Sequence, residues 1–307
     1  MIPRLAVIDL GTNTFHLLIV EVKAEGGFRE LYRERRFVKL AEDGIQRIGP
    51  APFQRGLDAL VDFAQIIQQQ QVQRIRAFGT AALRTAQNGA DFIDRVRNHT
   101  NLDIQLIPGS EEARLIHQGV VQAVSLDARP ALIMDIGGGS VEFILANAER
   151  VFWAQSFPIG VAVLYREWQH SDPISAENVT RINAFLDQTL VPLHAQIARH
   201  QPRILVGASG TFDVLEQQLA PPPPGAVSSE VAIDPYHHFA RQLRQSSLSQ
   251  RRQMPQLPLD RSDMIVVAIV LIDYIVRLAN IQSIRISAYA MKEGMLHEMI
   301  DPNFRQA

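Results

Sequence analysis

Two short stretches of the chain follow one pattern. Residues 7–20 read VIDLGTNTFHLLIV, and residues 133–146 read IMDIGGGSVEFILA. Aligned without gaps, Asp9 falls on Asp135 and Gly11 on Gly137, with apolar residues on both sides of each turn. Each stretch predicts strand, tight turn, strand. A carboxylate at the end of an apolar run is costly to desolvate, and successive glycines cost backbone entropy. A chain that keeps both features twice is expected to fold as two related halves.

The elements downstream repeat as well. After Asp9 the pattern predicts strands over Phe15–Val22 and Phe28–Leu40 and a helix from Phe53 to Gln70, apolar at Leu57, Leu60, Val61, Ala64 and Ile67. A strand RIRAFG, a helix from Ala81, a strand LDIQLI and a helix from Glu111 follow. After Asp135 come a second strand, a third at RVFWAQSF and a helix over Ala176–Ala198. Next are a strand RILVGA, a helix from Thr211, helices over Pro235–Arg244 and Ser262–Leu278, a strand SIRISA and a helix from Ala290. Pro221–Asp234, with four successive prolines, predicts an inserted loop. The class is α/β, with the order βββαβαβα in each half. Domains are expected over 1–124 and 125–307, meeting near Val124–Pro130. A ligand is expected in a cleft between them.

Composition narrows the chemistry. The 307 residues contain no cysteine, which excludes disulfides, thiolate zinc sites and cysteine nucleophiles. The net charge of −2 gives no global field for nucleic acid. Local basic clusters at Arg33, Arg35, Arg36 and Lys39 and at Arg251–Arg252 are expected to be solvated faces. The apolar run Met264–Val276 is broken by Asp273 and is too short to span a bilayer. The first residues run straight into a strand pattern without a signal-peptide layout, so a cytoplasmic protein is expected. His16, His237 and His238 lack zinc-site spacing and are expected to be structural.

The glycines do not fit the common phosphate loops. A Rossmann or P-loop motif leads from strand into helix, whereas here SVEFILA leads back into a strand, and there is no G-x-x-x-x-G-K. A glycine hairpin with outward amides can instead form an anion nest. Two such hairpins facing one phosphate would set aspartates beside it, and that is repulsive unless a divalent cation intervenes.

Taken in order, the motifs resemble the Ppx/GppA family, the exopolyphosphatases and guanosine pentaphosphate phosphohydrolases of the actin-like ATPase superfamily. DLGTNTFHLLI is similar to the family's D-x-G-S-N-S-x-x-L, GTAALRTAQN to A-T-S-A-L-R-x-A-x-N, and IPGSEEARL to I-S-G-x-E-E-A. DIGGGSVEF is similar to D-I-G-G-G-S-x-E, and GASGTFDVL to G-x-G-G-T. The resemblance covers nearly the whole chain. It implies two ribonuclease H-like domains and Mg²⁺-dependent hydrolysis of a terminal phosphoanhydride. The first-loop serines are Thr12 and Thr14 here, and RFVKLAED stands where many members have V-R-L-G-x-G. ISAYAMKEGML keeps a KEG but lacks the preceding glycine.

Glu112 is the sharpest candidate. Ser110 is expected to cap a helix whose first turn holds Glu111 and Glu112. Acids there also complement the helix dipole. Glu112 shares a stripe with Ile116 and Val120 and leans toward the packed side, while Glu111 lies about 100° around the helix. A desolvated carboxylate is a better base, and the resemblance implies that Glu112 activates the attacking water. Asp135 is the second catalytic candidate. Asp9, Asp135 and Glu142 are candidate Mg²⁺ partners, with Ser140 and Glu142 on one strand face and Val141 and Phe143 on the other. Glu142 as an ordinary solvent-side strand residue has nearly equal weight. The candidate phosphate-binding set is Gly11, Thr12, Asn13, Arg84, Gly137, Gly138, Gly139, Ser140, Gly207, Gly210 and Thr211. Arg84 enters it through its match to the family motif; a plain strand-to-helix turn explains Gly207, Gly210 and Thr211 almost as well.

The expected activity is release of orthophosphate from the end of inorganic polyphosphate, with Mg²⁺ replaceable by Mn²⁺. Hydrolysis of guanosine pentaphosphate is the nearest rival, and a non-catalytic nucleotide or polyphosphate sensor is a rival of another class. No nucleic acid or membrane partner is expected, and a homodimer is left open.

Overall fold

The computed structural model describes residues 3–24 and 26–301. These divide into two compact units. Unit 1 comprises the chain up to Gly119 together with the segment that begins at Met291, and unit 2 comprises Val120–Ala290.

Unit 1 opens with β1 (Arg4–Leu10), β2 (Thr14–Val22) and β3 (Phe28–Phe37), an antiparallel meander. α1 (Pro50–Gln69) follows, with Pro50 at its start, where a missing N–H costs nothing. Then come β4 (Arg74–Gly79), α2 (Ala81–Thr85), α3 (Gly89–Thr100), β5 (Ile104–Leu106) and α4 (Gly109–Ala123). The sheet order is β3-β2-β1-β4-β5, with β4 parallel to both β1 and β5. Ile8, Leu10, Phe15 and Leu17 meet Leu60, Phe63 and Phe92 in its core. The expected second helix is interrupted before Gly89, where the Leu83 carbonyl leaves no room for a Cβ.

Unit 2 repeats the plan with β6 (Ala131–Ile136), β7 (Val141–Ala146) and β8 (Val151–Phe157). α5 (Val161–Trp168) follows directly, and the sequence pattern did not announce it. The single helix expected over Ala176–Ala198 is two, α6 (Ala176–Thr189) and α7 (Val191–His200), because Pro192 cannot continue a helix. β9 (Ile204–Ala208) and α8 (Gly210–Leu219) come next. The expected inserted loop is partly β10 (Ser228–Ala232), which pairs antiparallel with the later β11 (Ser283–Ser287) and caps the sheet edge. Between them lie α9 (Ile233–Gln245), α10 (Leu248–Arg251) and α11 (Ile265–Ala279). The sheet order is β10-β11-β9-β6-β7-β8. Without β10, this is the order of unit 1.

The Met264–Val276 run is explained by α11, which is buried almost all round in the core of unit 2. Its one interior acid, Asp273, is held by Tyr236 Oη at 2.8 Å and by Arg244. Among the described residues no helix is long and apolar enough to cross a membrane.

The last helix, α12 (Met291–Ile300), corrects the expected domain boundary. It belongs to unit 1 and not to the second half of the chain. Its KEG motif supplies the reason. Glu293, buried, pairs with Arg33 at 3.2 Å. A Cβ on Gly294 would run into the Leu115 carbonyl, so glycine lets α12 lie directly on the α4 backbone. Glu298, also buried, accepts from Arg76 at 2.8 Å and pairs with Arg114 at 2.5 Å. The basic clusters are likewise not simply solvated faces. Arg36 pairs with Glu34 and Asp62, and Arg251 is fully buried, bonded to the Ser262 and Ser246 carbonyls and to Asp172.

Burial raises the Glu298 carboxyl, and the Arg76 and Arg114 guanidiniums more than reverse this, so its pKa lies below the ordinary value. A lowered folded-state pKa contributes stability above the unfolded value of about 4.3 and loses it as pH falls through the folded value. Glu298→Ala should cost about 2 kcal/mol in denaturant unfolding at pH 7, less than a fully buried pair because Arg114 is partly exposed. The difference from wild type should shrink as pH drops below 4.

Candidate functional site

In unit 1 the carboxyl ends of β1, β4 and β5 lie side by side, with Leu10 paired to Gly79 and Gly79 to Leu106. The loops leaving these ends carry the motifs, where open α/β sheets place their ligand sites. The β1–β2 turn is closed by Gly11 N–H donating to the Thr14 carbonyl at 3.1 Å. A Cβ on Gly11 would stand 2.9 Å from that oxygen, so only glycine fits unstrained. At the end of β4, Thr80 N–H donates to the Leu10 carbonyl at 3.3 Å, and α2 then presents Arg84. Arg84 Nη1 donates to the Ile107 carbonyl at 2.6 Å and lies 3.4 Å from Glu112 Oε2. At the end of β5, Glu111 and Glu112 N–H both donate to the Pro108 carbonyl, so α4 starts before Ser110, which is a first-turn residue and not the cap. The two glutamates face as their spacing predicts. Glu112 is 7% exposed, whereas Glu111 is partly exposed and chelates Arg114 at 2.7 and 2.6 Å.

Unit 2 has the same construction. Gly137 N–H donates to the Ser140 carbonyl at 3.0 Å, and a Cβ on Gly137 would stand 3.0 Å from it. Asp135 is paired with Ala208, which brings the start of α8 beside the glycine turn.

Both turns have their carbonyls drawn to one side. In unit 1 Val38 and Lys39 N–H donate to the Asn13 carbonyl at 3.0 and 2.9 Å, and Leu40 N–H to the Thr12 carbonyl at 2.8 Å. Lys39 adopts a left-handed φ of 51° in doing so. In unit 2 the N-terminus of α5 does this work: Val161 and Ala162 N–H donate to the Gly137 and Gly138 carbonyls at 3.0 and 2.9 Å. In a planar trans peptide the N–H points opposite its carbonyl. The N–H groups of Gly138 and Gly139 therefore point away from α5, and that of Asn13 away from Leu40. This geometry suits an anion nest.

The strand register supplies one further duplication. Asp135 is directly opposite Glu142 across β6 and β7, and Asp9 is directly opposite His16 across β1 and β2. Cross-strand partners share a face, with Cβ atoms about 5 Å apart. Asp135 and Glu142 are both buried, at 6% and 2% exposure, so Glu142 is not a solvent-side strand residue. Ser156 Oγ donates to Glu142 Oε1 at 2.6 Å. Two buried carboxylates on one face repel unless a cation or a proton is shared. Their oxygen chemistry suits Mg²⁺, which keeps several waters and needs one or two protein carboxylates. Among the described residues no group of three His, Cys, Asp or Glu converges as a metal cage. His16 stands where Glu142 stands in unit 2, an acid-facing role that its spacing along the chain did not reveal.

Other candidates separate. Gly207 lies inside β9, where a Cβ would strike the Phe212 ring, so its role is packing and not an amide nest. Gly210 and buried Thr211 open α8. The Arg261 guanidinium packs on Gly210, so that a Cβ there would collide with it. Sequence reasoning missed Arg261, because nothing local links it to a turn so far back in the chain.

The Ppx/GppA phosphatase family model matches residues 18–303. The chain belongs to that family. A solved exopolyphosphatase from Cytophaga hutchinsonii is 36% identical, covers 97% of this chain and 98% of its own, and superposes with a TM-score of 0.92. The Ppx/GppA family member of Aquifex aeolicus shares the fold at 22% identity and a TM-score of 0.80, covering 99% of both chains. Exopolyphosphatase 1 of Mycobacterium tuberculosis is 29% identical over 97% of this chain and 88% of its own length. The guanosine-5'-triphosphate,3'-diphosphate pyrophosphatase of Photobacterium profundum is 29% identical over 97% of this chain, which spans 59% of that relative. Both relatives are named for phosphoanhydride hydrolysis.

The packing of α5 on the glycine turn is testable. A Cβ on Gly160 would enter the backbone of Gly138 and Gly139. Gly160→Ala should lower the stability to unfolding by about 1–3 kcal/mol and weaken binding of phosphate-bearing ligands in equilibrium titration. Unchanged stability and binding would show that the contact does not shape the turn.

Proposed function

We propose that the protein hydrolyses the terminal phosphoanhydride of inorganic polyphosphate and releases orthophosphate. The observation that carries this is the buried Glu112 carboxylate at the start of α4, 3.4 Å from the Arg84 guanidinium. A planar guanidinium suits phosphate oxygens, and a carboxylate beside it suits a water aimed at the same phosphorus. Glu112 takes a proton from that water as its oxygen bonds to the terminal phosphorus. The bridging P–O bond breaks, and the shortened chain leaves with the electron pair. Arg84 and the turn amide of Asn13 hold the phosphoryl oxygens, and the turn amides of Gly138 and Gly139 are an anion nest of the same kind in unit 2. Asp135 and Glu142 would hold Mg²⁺, or Mn²⁺ in its place, which offsets phosphate charge when bound, and Asp9 is the equivalent acid of unit 1. Phosphoryl transfer of this type rests on positioning and electrostatics. The protein is proposed to act in the cytoplasm.

Guanosine pentaphosphate is the second reading, supported by the name of the Photobacterium relative. A guanosine-specific site needs groups that bond and stack on the base, and would penalise ligands lacking it. The groups gathered on both turns are amides, acids and arginines, which favours polyphosphate. A pure sensor gains nothing from a carboxylate beside a phosphate-binding arginine, which argues against that class.

Glu112→Gln should keep the fold and most substrate affinity but lose turnover by roughly 10²–10⁴-fold. Glu111→Gln should be mild in turnover, since Glu111 serves Arg114. Near-normal phosphate release by Glu112→Gln would remove Glu112 as the base. Chelator should abolish phosphate release, Mg²⁺ or Mn²⁺ should restore it, and Asp135→Asn should raise the metal concentration required. Measured side by side at one ionic strength, polyphosphate should show the higher kcat/KM. A clear preference for guanosine pentaphosphate would reverse the substrate assignment and leave the base untouched.

A further inference from the structure

Unit 1 carries a concavity lined by none of the site residues assigned above. It lies between α1 and α3 beside the segment Arg47–Pro50, with a volume of about 600 Å³. Small-molecule sites occupy about 300–1,000 Å³. Ile48, Phe53 and Leu57 form an apolar wall. The Phe53 ring is held edge-on to Phe92 with centroids 5.0 Å apart. The wall is also preorganised: Asn88, buried, accepts from Ile48 N–H and donates to the Ile48 carbonyl, both at 2.9 Å.

The rim is basic. Arg47 comes from the loop, and Arg95 and His99 from α3. Many other arginines of unit 1 are engaged: Arg33, Arg36, Arg55, Arg76, Arg97 and Arg114 each pair with a carboxylate, Arg4 and Arg74 donate to backbone carbonyls, and Arg35 lies over the Phe37 ring. Among the described residues Arg47 and Arg95 pair with none. His99 Nδ1 lies 2.8 Å from the Arg95 carbonyl, which leaves Nε2 for a ligand. Asp58, which accepts from Gln54 at 2.8 Å, puts one carboxylate on the same rim.

We propose that this cavity binds a nucleoside diphosphate. Two guanidiniums with no protein partner match two phosphate groups. The apolar wall matches the face of a base, and Asp58 accepts from a ribose hydroxyl or an exocyclic amine. A bare polyphosphate would leave the wall uncovered and bring its charge against Asp58. The proposal is independent of what the enzyme hydrolyses.

The test is a titration of N-methylanthraniloyl-ADP into the wild-type chain and into Arg47→Ala/Arg95→Ala, with unlabelled ADP and inorganic tripolyphosphate as competitors. Both arginines are exposed, so the double variant should keep the wild-type melting temperature. Wild type should bind the probe saturably, and the double variant should bind it at least about tenfold more weakly, as loss of charged hydrogen bonds implies. Tripolyphosphate should displace the probe only at concentrations at least about tenfold above those of ADP. Probe affinity unchanged in the double variant would place the nucleotide elsewhere and overturn the proposal. No saturable binding, or tripolyphosphate competing as well as ADP, would overturn it equally.

Discussion

Two carbonyl oxygens anchor the arrangement: those of Thr14 and Ser140, each receiving the amide proton of a glycine three residues earlier. These bonds close the two hairpin turns, and the turns set the strand register. The register in turn puts Asp9 against His16 and Asp135 against Glu142. Parallel pairing of β4 with β1 and of β9 with β6 then brings the remaining motif loops to the same sheet ends. A side chain at either glycine would press on the carbonyl, and the chemistry assembled around the turn would move with it.

The duplication holds for the strand order and the hairpin turns but not for the side chains. Unit 1 offers a carboxylate opposite an imidazole, and unit 2 a carboxylate opposite a carboxylate. The second pair is the stronger attractor of a cation, because both members are buried and both are acids. The base candidate and its arginine neighbour stand in unit 1, in the first turn of α4 and in α2. The carbonyls of the two turns are also drawn back by different means, an irregular segment with a strained Lys39 in one and a helix N-terminus in the other. Gene duplication would preserve the hairpin geometry while leaving such supports free to diverge.

What the sequence made legible was local or repeated. The two hairpins, the order of strands and helices, and the inward facing of Glu112 all follow from periods of two and 3.6 residues read over short windows. What it hid depends on distant partners. Gly207 reads like a turn glycine, yet its function is to admit the Phe212 ring. Arg251 looks like half of a surface cluster but is buried, with its guanidinium bonded to carbonyls and Asp172. β10 lies in a proline-rich stretch without strand alternation and forms only because β11 presents an open edge. The placement of α12 depends on Arg33, Arg76 and Arg114, none of them adjacent to it in the chain.

The membership of α12 in unit 1 has a consequence for biosynthesis. Unit 2 is in effect an insertion between residues 119 and 291 of unit 1. During translation all strands of unit 1 are made first, yet the helix that lies on α4 and neutralises Arg33, Arg76 and Arg114 is made only after unit 2. Until that helix is made, Arg33, Arg76 and Arg114 lack the Glu293 and Glu298 carboxylates that pair with them in the folded unit. Closure of unit 1 by α12 therefore waits on synthesis of all of unit 2.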